Sequence, residues 1–289
     1  MSTNTKMKMI DRNSFQVNLR RFPIYLFLIL LTLMCIVPLW LLVVNATRST
    51  PEIQSGISLI PSTNLLANFK TLSGRNFSLT RGFANSSFLS ISVTVLSVYF
   101  SILTAYAIEV YDFALKDVLQ RFIYVLVLIP QQVSIIGFYQ YMASLHLTNS
   151  YIPLILPAIA APASVFFAKQ YLETCVVRDL IYAGRIDGCG EFGIFHKIMM
   201  PMAAPGIFTM AIFAFVASWN NFLTPFIMLN KVELYTLPML VQLLRGDTYR
   251  TEYGAIYFGM LVSILPVIVV YSFLANKIVG GLALGAVKE

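Results

Sequence analysis

The residue types that could do chemistry concentrate in Arg178–Gly206, which reads RDLIYAGRIDGCGEFGIFHKIMMPMAAPG. Arg178, Arg185 and Lys197, with His196 when protonated, stand against Asp179, Asp187 and Glu191. These charges can pair with one another or meet a partner, but they form no nucleophile–base set. A second group of candidates is uncharged: Gln131, Gln132, Tyr139, Gln140 and Tyr141, then Trp219, Asn220 and Asn221, all inside apolar runs. Amide and indole groups can bond sugar hydroxyls, and rings can cover sugar faces. The same amides also suit bonding between helices, and the same rings suit membrane interfaces. Other chemistries are excluded. A phosphate-binding loop needs a Gly-rich turn followed by Lys-Ser/Thr, whereas Gly280–Gly285 continues as Ala286-Val287. His146 and His196 lie far apart, and Cys35, Cys175 and Cys189 have neither metal spacing nor a disulfide framework. No catalytic or metal set is expected, and no cofactor bound by this chain.

The elements that position the charged stretch are two short helices and a turn. Leu180, Ile181, Ala183, Gly184 and Ile186 supply the apolar positions of the first. Gly188 and Gly190 suit the left-handed position that ends a helix. The second helix restarts at Glu191, an acid at the positive helix end. Phe192, Phe195, Ile198 and Met199 then predict one apolar stripe, and Pro201 and Pro205 end the unit. Such a stripe could rest on a membrane surface, yet the Gly-x-Gly turn points to a built contact. Asp187 near a helix C-terminus, where the dipole disfavours an acid, predicts a specific partner such as Arg185 or a backbone donor.

Around this loop the chain reads as a polytopic, all-helical membrane protein. It is 58% hydrophobic and 11% charged over 289 residues, where a soluble chain carries about 25% charged residues. The net charge of +7 comes from residues at the ends of apolar runs, without the long basic run of a nucleic-acid binder. The reading is a cytoplasmic segment over 1–21, six spans at about 22–45, 84–108, 122–143, 151–170, 205–229 and 254–276, a cytoplasmic loop over 178–201, and a cytoplasmic tail over 281–289. The transmembrane domain as a whole occupies 22–280. The run 82–108 is rich in Ser and Thr, which lets helices approach closely and bond across. With both termini inside, thirteen Lys and Arg fall on the cytoplasmic side and seven outside, the sign the positive-inside rule demands.

The loop resembles the cytoplasmic EAA loop of ABC importer permeases, in which E-A-A-x-x-D-G-A precedes an apolar-Pro and a second Pro. Ala183, Asp187, Gly188, Pro201 and Pro205 match that pattern; Tyr182 stands where the family has Glu, Gly184 where it has the second Ala, and Cys189 where it has the last. RIDG, F-x-x-F-x-K-I-x-x-P, SWNNF and the ending GGLALGAVKE are similar to the carbohydrate-uptake branch, the maltose-type second permease subunit. The resemblance implies a six-helix ABC type I importer permease in a bacterial cytoplasmic membrane. It also implies a sister permease subunit, two ATPase subunits that use ATP and Mg, and an extracellular solute-binding protein. In it, Tyr182, Ala183, Gly184, Asp187, Gly188, Phe192, Phe195 and Pro201 would form the ATPase-coupling loop, with Phe192 and Phe195 filling apolar pockets on the ATPase. Tyr139, Gln140, Trp219, Asn220 and Asn221 would line the path of a sugar. Arg245, Gly246 and Asp247 would touch the binding protein. Two other classes stay open: an ion-coupled carrier of a neutral solute, which the absence of charge from the middle of the spans disfavours, and a membrane scaffold without transport.

Overall fold

A computed structural model describes residues 3–74, 78–245 and 251–285. Fifteen α-helices follow one another, and no strand occurs among the described residues. In chain order they are α1 (Thr3–Ala46), α2 (Thr50–Gln54), α3 (Leu65–Gly74), α4 (Leu79–Val110), α5 (Lys116–Val127), α6 (Gln131–Ser144), α7 (Ile152–Ile155) and α8 (Pro162–Cys175). They continue with α9 (Arg178–Ile186), α10 (Glu191–Ile194), α11 (Met200–Met202), α12 (Ala204–Trp219), α13 (Leu223–Met228), α14 (Leu237–Arg245) and α15 (Tyr253–Gly285).

Four stretches are long and apolar enough to cross a bilayer: Arg21–Ala46, Leu79–Val110, Ile152–Cys175 and Tyr253–Leu274. Two further candidates are bent pairs, Lys116–Val127 with Gln132–Ser144 at 104° and Glu191–Met202 with Ala204–Trp219 at 81°. The expected run 122–143 is therefore interrupted, whereas the 81° bend falls just before the run 205–229, which has its own break further on. The first breaks before Pro130, which disfavours helical backbone at Ile129. The second ends its main helix at Trp219 and restarts at Leu223.

The chain divides into two units, Met1–Thr71 with Thr251–Leu261, and Leu72–Arg250 with Val262–Glu289. In the first, Asn68 Nδ2 donates to the carbonyls of Ala46 (2.8 Å) and Arg48 (2.9 Å). Thr50 Oγ1 donates to Glu252 Oε2 at 3.0 Å, and Phe69 meets Phe258 edge-on.

The core of the second unit forms where α4 meets α8 and α12. Ile102, Ala105 and Tyr106 of α4, Ala168 and Leu172 of α8, and Met210 of α12 are buried together. α4 is the most enclosed of the four, with Ser90, Ser101 and Ala105 fully buried along it. Several of its small polar residues make the close contacts expected of them. Ser97 Oγ bonds Ser164 Oγ at 3.1 Å, Ser86 Oγ accepts from Leu237 N at 2.8 Å, and Asn85 Nδ2 donates to the carbonyls of Glu233 and Tyr235. Lys169, a charge expected at a helix end, is instead buried within α8 and bonds Glu173 one turn on.

Candidate coupling loop

Helix α9 buries Ile181 and Gly184 and exposes Tyr182, Ala183 and Ile186. Gly184 is where it crosses the next helix. A Cβ there would lie 2.8 Å from Ile198 Cδ1 and 3.4 Å from Ile194 Cγ1. The helix closes in a Schellman motif. Cys189 N donates to Gly184 O (2.9 Å) and Gly188 N to Arg185 O (3.1 Å), with Gly188 at φ +79°. A side chain at that φ is disfavoured, so glycine suits the turn. The partner foreseen for the Asp187 carboxylate is not found among the described residues: Arg185 turns to Glu191, and it is the Asp187 backbone N–H that is bonded, to Ala183 O at 2.9 Å.

Arg185 pairs with Glu191, through Nε to Oε1 at 2.8 Å and Nη2 to Oε2 at 3.4 Å. The same carboxylate accepts a hydrogen bond from the Tyr111 hydroxyl. Tyr111 is the residue on which α4 ends, so one acid ties both loop helices to a transmembrane helix. The Arg185 guanidinium also lies over the rings of Tyr111 (5.7 Å) and Tyr182 (5.8 Å). These contacts leave a mark on the ionisations. Arg185, then Tyr111, hold the Glu191 carboxyl below its usual range. Burial, then the Glu191 bond, pushes the Tyr111 hydroxyl up.

After α10 the helix widens by one π turn over Phe195–Met199, in which Met200 N bonds Phe195 O. This corrects the expected single stripe. Ile194, Phe195 and Met199 point into the core, Phe195 only 1% exposed between the rings of Tyr106 and Tyr99, whereas Phe192 is 71% exposed. Phe195 is therefore a core residue of this chain and cannot fill a pocket on another protein. His196 bridges the two sides. Its Nδ1 lies 2.8 Å from Phe192 O and its Nε2 3.3 Å from Tyr99 Oη. Because a carbonyl only accepts, Nδ1 carries the proton, and in the neutral ring Nε2 accepts from Tyr99. Pro201 is exposed where the chain turns into α12.

The other candidates fall into three groups. Trp219 is corrected from a path residue to a packing residue. It is 1% exposed, stacks on Phe215, meets Phe83 edge-on and donates its indole N–H to Ser263 O at 2.8 Å. Asn220 and Asn221 are exposed at the break between α12 and α13, and Asn221 Oδ1 accepts from Thr224 N, in the first turn of α13, at 3.3 Å. Tyr139 is half-buried against the cluster of Met142, Met228 and Met239, while Gln140 is exposed on α6. Gly246 and Asp247 lie outside the described residues, as does the side chain of Arg245, the last residue of α14. Tyr111 and Tyr99 were not foreseen as part of the loop's surroundings. Each sits at least 80 residues before its loop partner.

Three comparisons with known proteins meet this geometry. Residues 97–282 match the family described as "Binding-protein-dependent transport system inner membrane component". The arabinooligosaccharides transport system permease protein of Halalkalibacterium halodurans is 37% identical over 255 residues, 87% of this chain and 90% of that one. Its Bacillus subtilis counterpart is 33% identical over 280 residues, 96% and 99% of the two chains. Among solved structures, a bacterial ABC transporter involved in the import of the acidic polysaccharide alginate shares the fold. It has a TM-score of 0.77 at 19% identity, over 92% of this chain and 96% of that one. Nothing in these likenesses supports an ion-coupled carrier. The chain belongs to the binding-protein-dependent transport system inner membrane components: it is an all-helical permease subunit of an ABC importer, a transport component and not an enzyme.

Proposed function

We propose that this chain pairs with a sister permease subunit and passes a neutral sugar or oligosaccharide between the two, driven by ATPase subunits seated on residues 178–201. The observation that carries the coupling role is the exposed set Tyr182, Ile186 and Phe192. It stands on a loop held by the Schellman closure and by the Glu191 contacts. Apolar side chains presented on a short helix fit the helix-in-groove mode of recognition. Ala183, Asp187 and Gly188 shape the turn of that surface, Gly184 and Phe195 hold it from behind, Pro201 ends it, and ATP and Mg are bound by the partners. Both termini and the loop face the cytoplasm, as the distribution of Lys and Arg favours.

The sugar assignment rests on the relatives, which are permease proteins for arabinooligosaccharides, and on exposed amides at the α12–α13 break and on α6. Asn220, Asn221 and Gln140, with the Tyr139 hydroxyl, would bond solute hydroxyls on the path. The tip Arg245-Gly246-Asp247 would meet the solute-binding protein outside. The test is uptake and ATP hydrolysis by the reconstituted complex over a panel of oligosaccharides. Neutral oligosaccharides should stimulate both. Uptake that follows an ion gradient and ignores ATP would overturn the reading.

A further inference from the structure

The loop that follows the first span folds back down beside it. Trp40 lies six residues before Ala46, where that span ends, which at 1.5 Å per residue is about 9 Å below the helix end. Its indole Nε1 donates to the carbonyl of Leu59 at 3.0 Å. Helical side chains lean toward the helix N-terminus, so the indole sits no nearer the surface than its own Cα. The backbone at Leu59 thus reaches more than a helical turn below the end of α1.

Much of this loop's polar chemistry is bonded within it. Arg48, 7% exposed, donates to Asn45 Oδ1, to Gly56 O and to Glu52 O. The Glu52 carboxylate accepts from Ser49 N (2.7 Å), Ser62 Oγ (3.0 Å) and Asn64 Nδ2 (3.1 Å). Thr47 accepts from Ser62 N and Asn64 N, both at 2.8 Å. At the tip itself, Ser58 Oγ accepts from Ile60 N and donates to Ile60 O. At the tip the large side chains facing out are apolar: Ile57 at 88%, Leu59 at 59% and Ile60 at 76% exposure, with no charge among residues 57–61. Three large apolar side chains held outward in four residues mark a contact surface. Their depth beside Trp40 decides which contact. A segment about 9 Å below a span's end, with the Leu59 and Ile60 carbonyls, the Ile60 amide and the Ser58 hydroxyl bonded within the unit, suits the headgroup–acyl boundary, where its remaining backbone groups can still meet water.

We propose that residues 57–60 are a membrane wedge, tethered by Trp40 and inserted at the headgroup–acyl boundary of the leaflet in which α1 ends. Interfacial elements bury apolar faces to about this depth, 5–10 Å. The polar buttress from Thr47 to Asn64 sets the height at which α1 stops in the bilayer. Only the name of the leaflet, the outer one, rests on the proposed orientation; the insertion does not.

Site-directed nitroxides test this in the assembled complex in lipid nanodiscs, with Cys35, Cys175 and Cys189 replaced by Ser. Labels go on Ile57→Cys and Ile60→Cys, with Gln54→Cys as a control; all three positions are exposed, so the labels disturb no packing. Collision with oxygen, which concentrates in lipid, is compared with collision with a water-soluble nickel chelate. At 57 and 60 oxygen should exceed nickel several-fold, and at 54 the order should reverse. Trp40→Phe keeps a ring but removes the donor, and should shift the label at 60 toward nickel. Dominant nickel collision at 57 and 60 would mean an aqueous loop. Low collision with both reagents would mean cover by another protein subunit. Either result overturns the proposal, and an unmoved label in Trp40→Phe overturns the tether.

Discussion

Tyr111→Phe isolates one bond in the attachment of the proposed coupling loop. It removes the hydroxyl that donates to Glu191 and keeps the ring that meets Tyr106 and underlies Arg185. A hydrogen bond to a charged group contributes about 1.5–3 kcal/mol. Glu191 stays partly open to water and keeps Arg185, so its carboxylate is re-solvated and the loss falls to about 1 kcal/mol. That is roughly a fivefold rise in the population of the detached loop. The direct reading is hydrogen exchange in the assembled complex at the amides of Gly188, Cys189 and Ile194, which bond Arg185 O, Gly184 O and Gly190 O. These should exchange about fivefold faster, while amides in the middle of α4 should not change. Each solute imported should also consume more ATP, because a loosened loop passes less of its motion to α4. In a Glu191→Ala background the substitution should add almost nothing, since the acceptor is already gone. Unchanged exchange at the three amides, or full additivity with Glu191→Ala, would refute the attachment.

Phe195→Ala should cost the subunit about 3–5 kcal/mol, because it empties a core site between Tyr106 and Tyr99, and thermal denaturation of the purified complex will read it. Phe192→Ala should leave that melting temperature nearly unchanged but weaken ATPase retention by about 2 kcal/mol, measured by co-purification. Equal loss of stability in the two variants would contradict their opposite burial. Gly188→Val forces a β-branched residue to φ +79° and should cost about 1–2 kcal/mol, seen as faster exchange at the Cys189 amide with the spans intact. The pH dependence follows from the lowered Glu191 carboxyl: its contribution is complete above the ordinary value of 4.5 and is lost only as pH falls through a lower folded value. Loop protection, corrected for intrinsic exchange, should therefore be flat from about pH 5 to 8, and a loss of protection inside that window would point to a different group.

What the sequence made legible in this loop is what the local backbone decides. Gly188 announces a left-handed residue, and the Schellman bonds of Gly188 and Cys189 follow from it within six residues. The spans were legible for a similar reason: hydrocarbon excludes charge, so charge-free runs must appear whatever the helices touch. Their interruptions were written more faintly, in Pro130 and in the adjacent amides Asn220 and Asn221. The misreadings arise where a distant contact decides. A helix of 3.6 residues per turn puts Phe192 and Phe195 on one stripe. The π turn that begins at Phe195 spreads the residues after it, and the rings of Tyr99 and Tyr106 fix Phe195 inward. Nothing in GEFGIFHKIMM announces that extra residue per turn, because its benefit is collected on α4. Trp219 behaves alike, since its role turns on a carbonyl 44 residues later. Glu191 joins the two cases. Its place at a helix start was readable, but its hold on Tyr111, 80 residues earlier, makes the loop part of the α4 end. A force applied to Tyr182, Ile186 and Phe192 then reaches the spans by two routes, forward through Pro201 into α12 and back through Glu191 into α4. Because α4 and α12 share one core, the two routes act on one packed body, which is what a double attachment would provide under the proposed coupling role.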